Sequence, residues 1–179
     1  MPEGTPSSSN NPPTARPTIR SLASDDGVRR FSLDKEFLSL VIFLQKDAKK
    51  HHNSHVSKTY VIADGKRVLA YISLCCAQVK LESHPEDLDG YKYDYPAIKI
   101  GKLAVDERSE RQDYGSDLVD LAIAIAKDEI RRHVGCRLLL VDSHKTAVDF
   151  YQKKGFTMID TDENRARPCP VLFLDIGKL

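Results

Sequence analysis

The stretch Ile98-Lys99-Ile100-Gly101-Lys102-Leu103-Ala104-Val105-Asp106 reads as a buried strand, and it runs through a charged loop straight into a helical pattern that opens at Gly115. From there to about His133, Leu118, Leu121, Ala122, Ile125 and Ile130 recur at helical spacing, and Gly135 follows as a stop. A strand, a loop and a helix start make an anion site, because the free amides of the first turn and the positive end of the helix dipole both favour phosphate. Many α/β proteins carry such a unit with no ligand, so further features are needed.

Outward on the C-terminal side, Cys136 to Val141 is an apolar strand and Thr146 to Lys154 a short helix closed by Gly155. Phe156 to Ile159 and Val171 to Ile176 then read as two more strands. The helix carries Phe150-Tyr151, with Tyr151 on the face of Ala147 and Lys154, so that one aromatic packs while its neighbour meets a cleft. A tyrosine so placed is more often a core residue with a bonded hydroxyl.

On the N-terminal side, Thr59 to Ala63 and Arg67 to Val79 flank Asp64-Gly65, which predicts an antiparallel hairpin. A polar segment from Glu82 to Pro96 separates that hairpin from the Ile98 strand and is long enough to be a functional loop. Upstream, a helix is expected from about Asp34 to Lys50, burying Phe37, Leu38, Val41, Ile42 and Leu44, with Ser24-Asp25-Asp26 as a candidate helix start. His51 to His55 reads as a polar loop; no carboxylate or cysteine stands at ligand spacing, so a solvated surface is expected there and no metal. Residues 1–17, rich in Pro, Ser, Asn and Thr, offer no large apolar side chain after Met1 to offset the entropy of ordering, and read as a flexible tail before one domain over 18–179.

Composition narrows the function classes. The 179 residues carry a formal charge of +1, which gives no support for a nonspecific coat on nucleic acid, although a local patch is open. No basic leader or membrane-spanning apolar run is present, and the four cysteines form neither a metal knuckle nor a redox pair, so buried thiols in a reducing cytoplasm are expected.

Taken together, Leu103-Ala104-Val105-Asp106, the helix after Gly115 and Phe150-Tyr151-x-x-x-Gly155-Phe156 resemble the GNAT acyltransferase superfamily. Phe31-Ser32-Leu33, Phe37-Leu38, Ser57 to Val61, Ala70 to Leu74 and Leu172 to Leu174 are similar to the branch containing GNAT toxins of toxin-antitoxin pairs, which acetylate the amino group of aminoacyl-tRNA. The resemblance implies an α/β (α+β) fold with a central mixed, mostly antiparallel, splayed sheet and helices on both faces. It implies acetyl-CoA as cofactor, an amine acceptor such as aminoacyl-tRNA, and a small antitoxin as partner. The backbone of Leu103, Ala104 and Val105 would pair with the pantetheine arm, and Arg111, Gln112, Asp113, Tyr114, Gly115 and Ser116 would take the pyrophosphate. Tyr151 would be the general acid for the departing thiolate, since a phenol of pKa about 10 still holds its proton at neutral pH. His144 and Glu107 are candidate bases for the acceptor amine.

One departure stands out. The family loop reads Gln or Arg, two residues, Gly, one residue, Gly or Ala, whereas here Glu110, Arg111, Gln112, Asp113, Tyr114 and Gly115 keep only the last glycine. Two carboxylates oppose a dianion, with Arg108 and Arg111 available to compensate, and weakened cofactor binding is expected. For an RNA acceptor, Lys46, Lys49, Lys50, Lys58, Lys153 and Lys154 supply cations, although lysines at helical spacing are usually a solvated face. Two other functions stay open: acetylation of a protein amine or small polyamine, drawn by the acidic stretch Glu82 to Asp89, and a non-enzymatic binding or regulatory module. Acyl length and oligomeric state are not legible, a homodimer included.

Overall fold

The computed structural model describes residues 17–81, 91–109 and 112–179. Hence the expected tail, apart from Pro17, the acidic stretch Glu82 to Asp89, and Glu110 and Arg111 lie outside the described residues.

Seven strands form one sheet: β1 (Thr18–Ser21), β2 (Lys58–Asp64), β3 (Arg67–Val79), β4 (Tyr95–Val105), β5 (Leu138–Asp142), β6 (Thr157–Met158) and β7 (Val171–Asp175). Their order is β1-β2-β3-β4-β5-β7-β6, and every neighbouring pair is antiparallel except β4 with β5. The hairpin forms where Asp64-Gly65 predicts it: Asp64 faces Arg67, and Gly65 takes φ +57°, which a side chain resists.

Alternation sends one side chain in two to each face. Ile72, Leu74, Ile98, Ile100, Leu139 and Val141 point to the side covered by α3 (Tyr114–Ala124), whose Leu118, Val119 and Ala122 are fully buried. α4 (Val148–Lys153) packs into the same cluster through Tyr151. Val61, Val68 and Tyr71 point the other way, onto a helical run over 35–53 that includes α1 (Leu38–Ile42) and α2 (Ala48–Asn53) and contributes Val41, Leu44 and Ala48. The Tyr71 hydroxyl donates to the Leu40 carbonyl at 2.8 Å, tying that run to β3.

Several local expectations are corrected. Ser24 to Asp26 starts no helix: the buried Asp26 carboxylate accepts from the Ala23 amide at 2.7 Å and from the Arg20 guanidinium at 2.6 and 2.8 Å, closing a turn. His51 to Asn53 is helical, because the apolar face continues through Ala48 and the chain leaves the helix only at Ser54. Leu38 and Ile42 are exposed, their side of α1 facing away from the sheet. β4 begins at Tyr95 and takes in Pro96, whose carbonyl accepts from the Arg137 amide. A short helix, α5 (Asp162–Ala166), was not expected at all. Of the thiols only Cys136 is buried; Cys75 and Cys169 are half-buried, Cys76 is exposed, and all four are free.

Candidate active site

The feature that positions everything else is a fork in the sheet. β4 pairs with β5 only from Ala97↔Leu138 to Ile100↔Val141, yet it stays with β3 as far as Val105↔Ala70. Residues 101–105 therefore present a row of backbone N–H and C=O groups to no described strand on their β5 side. A bulge marks the spot: Ser73 faces Lys102 and Leu74 faces Ile100, which leaves Gly101 as the extra residue. Such a bulge adds local twist and turns a strand away from its neighbour. Leu103, Ala104 and Val105 all lie on this open edge.

β4 leads into a turn held by Asp106, which is fully buried. Its carboxylate accepts from the amides of Ser32 and Arg108 and from the Arg108 guanidinium at 2.7 and 2.9 Å. These donors hold the carboxyl below the usual range against the opposing effect of burial. Arg108 is thus occupied by Asp106 and the Arg30 carbonyl, which corrects the expectation that it stands ready for phosphate.

The chain then reaches the start of α3. A hollow of about 220 Å³ opens there, lined by Val105, Ser109, Gln112, Asp113, Tyr114, Gly115, Ser116 and Phe150. Asp113 is the N-cap with φ 54° and ψ 14°, a left-handed conformation that glycine adopts freely and aspartate only under strain. Its side chain makes no capping bond, so the carboxylate stands beside the amides without bonding to them. The same geometry explains why a glycine suits this position and why its replacement alters both charge and backbone energy.

Tyr151, on α4, packs into the cluster that holds Ile98 and Ile100 of β4 and Leu139 and Val141 of β5. It is 4% exposed and packs edge-on against Phe150 and Phe156, with ring centroids 5.0 and 5.5 Å away. Of the two aromatics, Phe150 is the ring that lines the hollow, and Tyr151 is the more deeply set. Burial pushes the phenol above its usual value of 10, so it keeps its proton throughout the neutral range. No hydrogen bond to its hydroxyl is found among the described residues, and the oxygen is not a sealed, unpaired atom. A phenol in this state has a proton to give and no internal partner to give it to.

The candidate bases have partners of their own. Glu107 accepts from the Ser32 hydroxyl at 2.8 Å, on the turn. His144 reaches Glu36 at 3.2 Å and stacks edge-on with Phe37, joining the helical run to the loop after β5; its Nδ1 lies 2.8 Å from the Thr146 hydroxyl. A pair not anticipated from sequence stands at the vertex of the fork, where Lys99 Nζ meets Asp142 Oδ2 at 2.6 Å. Of the six lysines expected to face RNA, Lys49, Lys58 and Lys154 are bonded internally, to the Ser24 and Asp26 carbonyls, the His52 carbonyl and Asp120 respectively. A larger cavity of about 280 Å³, beside Ile125 and Ile130, holds none of the residues expected to bind cofactor.

No helix among the described residues is long and apolar enough to cross a membrane. A family model described as an acetyltransferase (GNAT) domain matches residues 55–158. Among solved structures, a tyrosine-to-phenylalanine variant of KacT superposes with a TM-score of 0.78 at 23% identity, over 92% of this chain and 97% of that one. AtaT complexed with acetyl-methionyl-tRNAfMet gives 0.77 at 23% identity, over 90% and 95%. An AtaT variant bound to the C-terminus of the antitoxin AtaR and acetyl-CoA gives 0.72 at 22% identity, over 90% and 94%.

Proposed function

Because this chain belongs to the GNAT acetyltransferase family, we propose that it transfers the acetyl group of acetyl-CoA directly to a primary amine, and that this amine is the α-amino group of an aminoacyl-tRNA. The observation that carries the reading is the fork: on their β5 side residues 101–105 pair with no strand among the described residues, and they lead to the hollow at the start of α3. An extended amide-bearing arm fits beside Leu103, Ala104 and Val105 as an added strand, with main-chain bonds supplying affinity. Its diphosphate falls against Gln112, Asp113, Tyr114, Gly115 and Ser116, and Arg111 adjoins them in sequence. The thioester then lies at the vertex, where Tyr151 gives its proton to the sulfur as the C–S bond breaks.

The aminoacyl-tRNA acceptor is supported by the likeness to AtaT, solved with acetyl-methionyl-tRNAfMet. The AtaT variant solved with the C-terminus of the antitoxin AtaR supports an antitoxin protein as partner, and a tRNA acceptor implies work in the cytoplasm. In this reading residues 18–179 are the acyltransferase unit. The test is mass spectrometry of tRNA and protein pools after incubation with labelled acetyl-CoA. Label on the aminoacyl end of tRNA is the expected result; label confined to protein or polyamines overturns the acceptor. No label in any pool, together with no binding of acetyl-CoA, overturns the enzyme and favours a binding module, the function that Asp113 in the hollow would suit.

A further inference from the structure

On the acceptor side, something must orient the amine and take the proton it loses. At the fork, sheet register decides which groups are eligible. Ile98, Ile100, Leu139 and Val141 share the face and the cluster of Tyr151, so Lys99 and Asp142, alternating with them, project from the opposite face. Ile100↔Val141 is the last rung before the strands part, and the Lys99–Asp142 pair straddles it with about a third of each side chain exposed. The Tyr151 ring thus packs on one face of the sheet and the ion pair stands on the other, at the rung where β4 and β5 part. Neither Glu107, held on the turn after β4, nor His144, engaged with Glu36, shares that position.

We propose that Asp142 is the acceptor-amine subsite and that the primary ammonium of Lys99 occupies it as an internal stand-in until the acceptor arrives. The inference rests on the function proposed above. In the transfer, a neutral acceptor amine donates an N–H hydrogen bond to the Asp142 carboxylate. Its nitrogen bonds to the acyl carbon, and the carboxylate takes the proton that nitrogen loses. As the C–S bond breaks, its electron pair goes to sulfur, which takes the Tyr151 proton. Water carries the proton held by Asp142 to the phenolate, so both residues return to their starting state and the products are an amide and a free thiol. An α-amino group, with a pKa of about 8, is neutral often enough at physiological pH to enter in this way.

The pair makes an opposite-sign test. With in vitro charged aminoacyl-tRNA as the probe acceptor, Asp142→Asn should lower kcat/KM by about 100-fold, the scale of a lost general base. Lys99→Met removes the competing cation and should lower the acceptor KM by about three- to ten-fold, an electrostatic gain at a partly exposed site. The Kd for acetyl-CoA, measured by calorimetry, should change in neither. Asp142→Glu should recover part of the rate, which a purely structural ion pair would not require. If both substitutions impair turnover alike, or if Asp142→Asn retains full kcat/KM while acetyl-CoA still binds and the unaltered protein turns over, the subsite is overturned and the function stands. An unaltered protein that binds no acetyl-CoA overturns both.

Discussion

The fork and the hollow, which together would hold the two ends of one cofactor, differ in how closely each fits its task. At the fork everything required is built from backbone: a bulge at Gly101, a strand that parts from its neighbour after Ile100, and an open edge over 101–105. Substitution hardly touches such a feature. At the hollow the fit would depend on one side chain: the Asp113 carboxylate suits the amides of a helix start but would oppose a bound diphosphate, and its left-handed backbone is one that glycine adopts more freely. Topology is therefore robust where electrostatics is fragile, since one side chain at the start of α3 would alter anion binding and leave the sheet unchanged.

The sharpest attempt to break this contrast is Tyr151→Phe. It should cut kcat by about 10²- to 10⁴-fold, the range of a lost general acid. The urea midpoint and the Kd for acetyl-CoA should hold, because removing an unbonded hydroxyl leaves no partner stranded. Full activity in the variant, by stopped assay, would remove the phenol from the mechanism.

Next is the link between the two regions. Asp106→Asn leaves the Ser32 and Arg108 donors with a weaker acceptor at a fully buried position, and should cost about 2–3 kcal/mol in urea unfolding, with the exposed side of Arg108 keeping the loss below the deepest cases. A midpoint unchanged from the parent would mean that the turn does not depend on the charge.

Within the hollow, Asp113→Gly should tighten acetyl-CoA binding by about ten-fold, combining lost repulsion with relief of the left-handed backbone. Asp113→Asn separates the two causes, since it removes charge and keeps the strain; calorimetry should place it between parent and glycine. Equal Kd values in all three proteins would refute the electrostatic half of the contrast.

The smallest effect concerns the scaffold on the acceptor face. His52 accepts the Thr59 amide on Nδ1 at 3.1 Å, which requires a neutral ring, and burial and then Lys58 lower its pKa from the ordinary 6.5. A depressed folded value means that the unfolded chain binds the proton more readily. Its stabilising contribution is therefore complete above about pH 6.5 and fades as pH falls through the folded value. Denaturation midpoints compared at about pH 8 and about pH 5 should show a drop that His52→Gln reduces; an identical drop in the variant would assign it to other groups.

What could be read from sequence follows the same division. The 67–79 strand was legible to the residue because a run of strand-forming residues and an Asp-Gly turn are local signals, and Asp64-Gly65 fixes its start. α5 escaped because five residues carry no period; Thr161, accepting from the Asn164 amide, is what holds its first turn. Pro96 disguised the start of β4, since a residue without an N–H normally argues against a strand. At the site, Gln112 to Ser116 and Val105 line one hollow, but which of Phe150 and Tyr151 lies deeper depends on how α4 docks. The Lys99–Asp142 pair was invisible for a plainer reason: the partners are 43 residues apart and meet only through the parallel register of β4 and β5.

That register has one more consequence. An open strand edge is normally a hazard, because any foreign strand can zip onto it and seed aggregation. Here the exposed row lies in the interior of the sheet between two diverging neighbours, so a second sheet cannot approach it broadside. A single slender chain can slide in, and a β-rich contaminant cannot: the same cleavage that creates stickiness also rations who may use it.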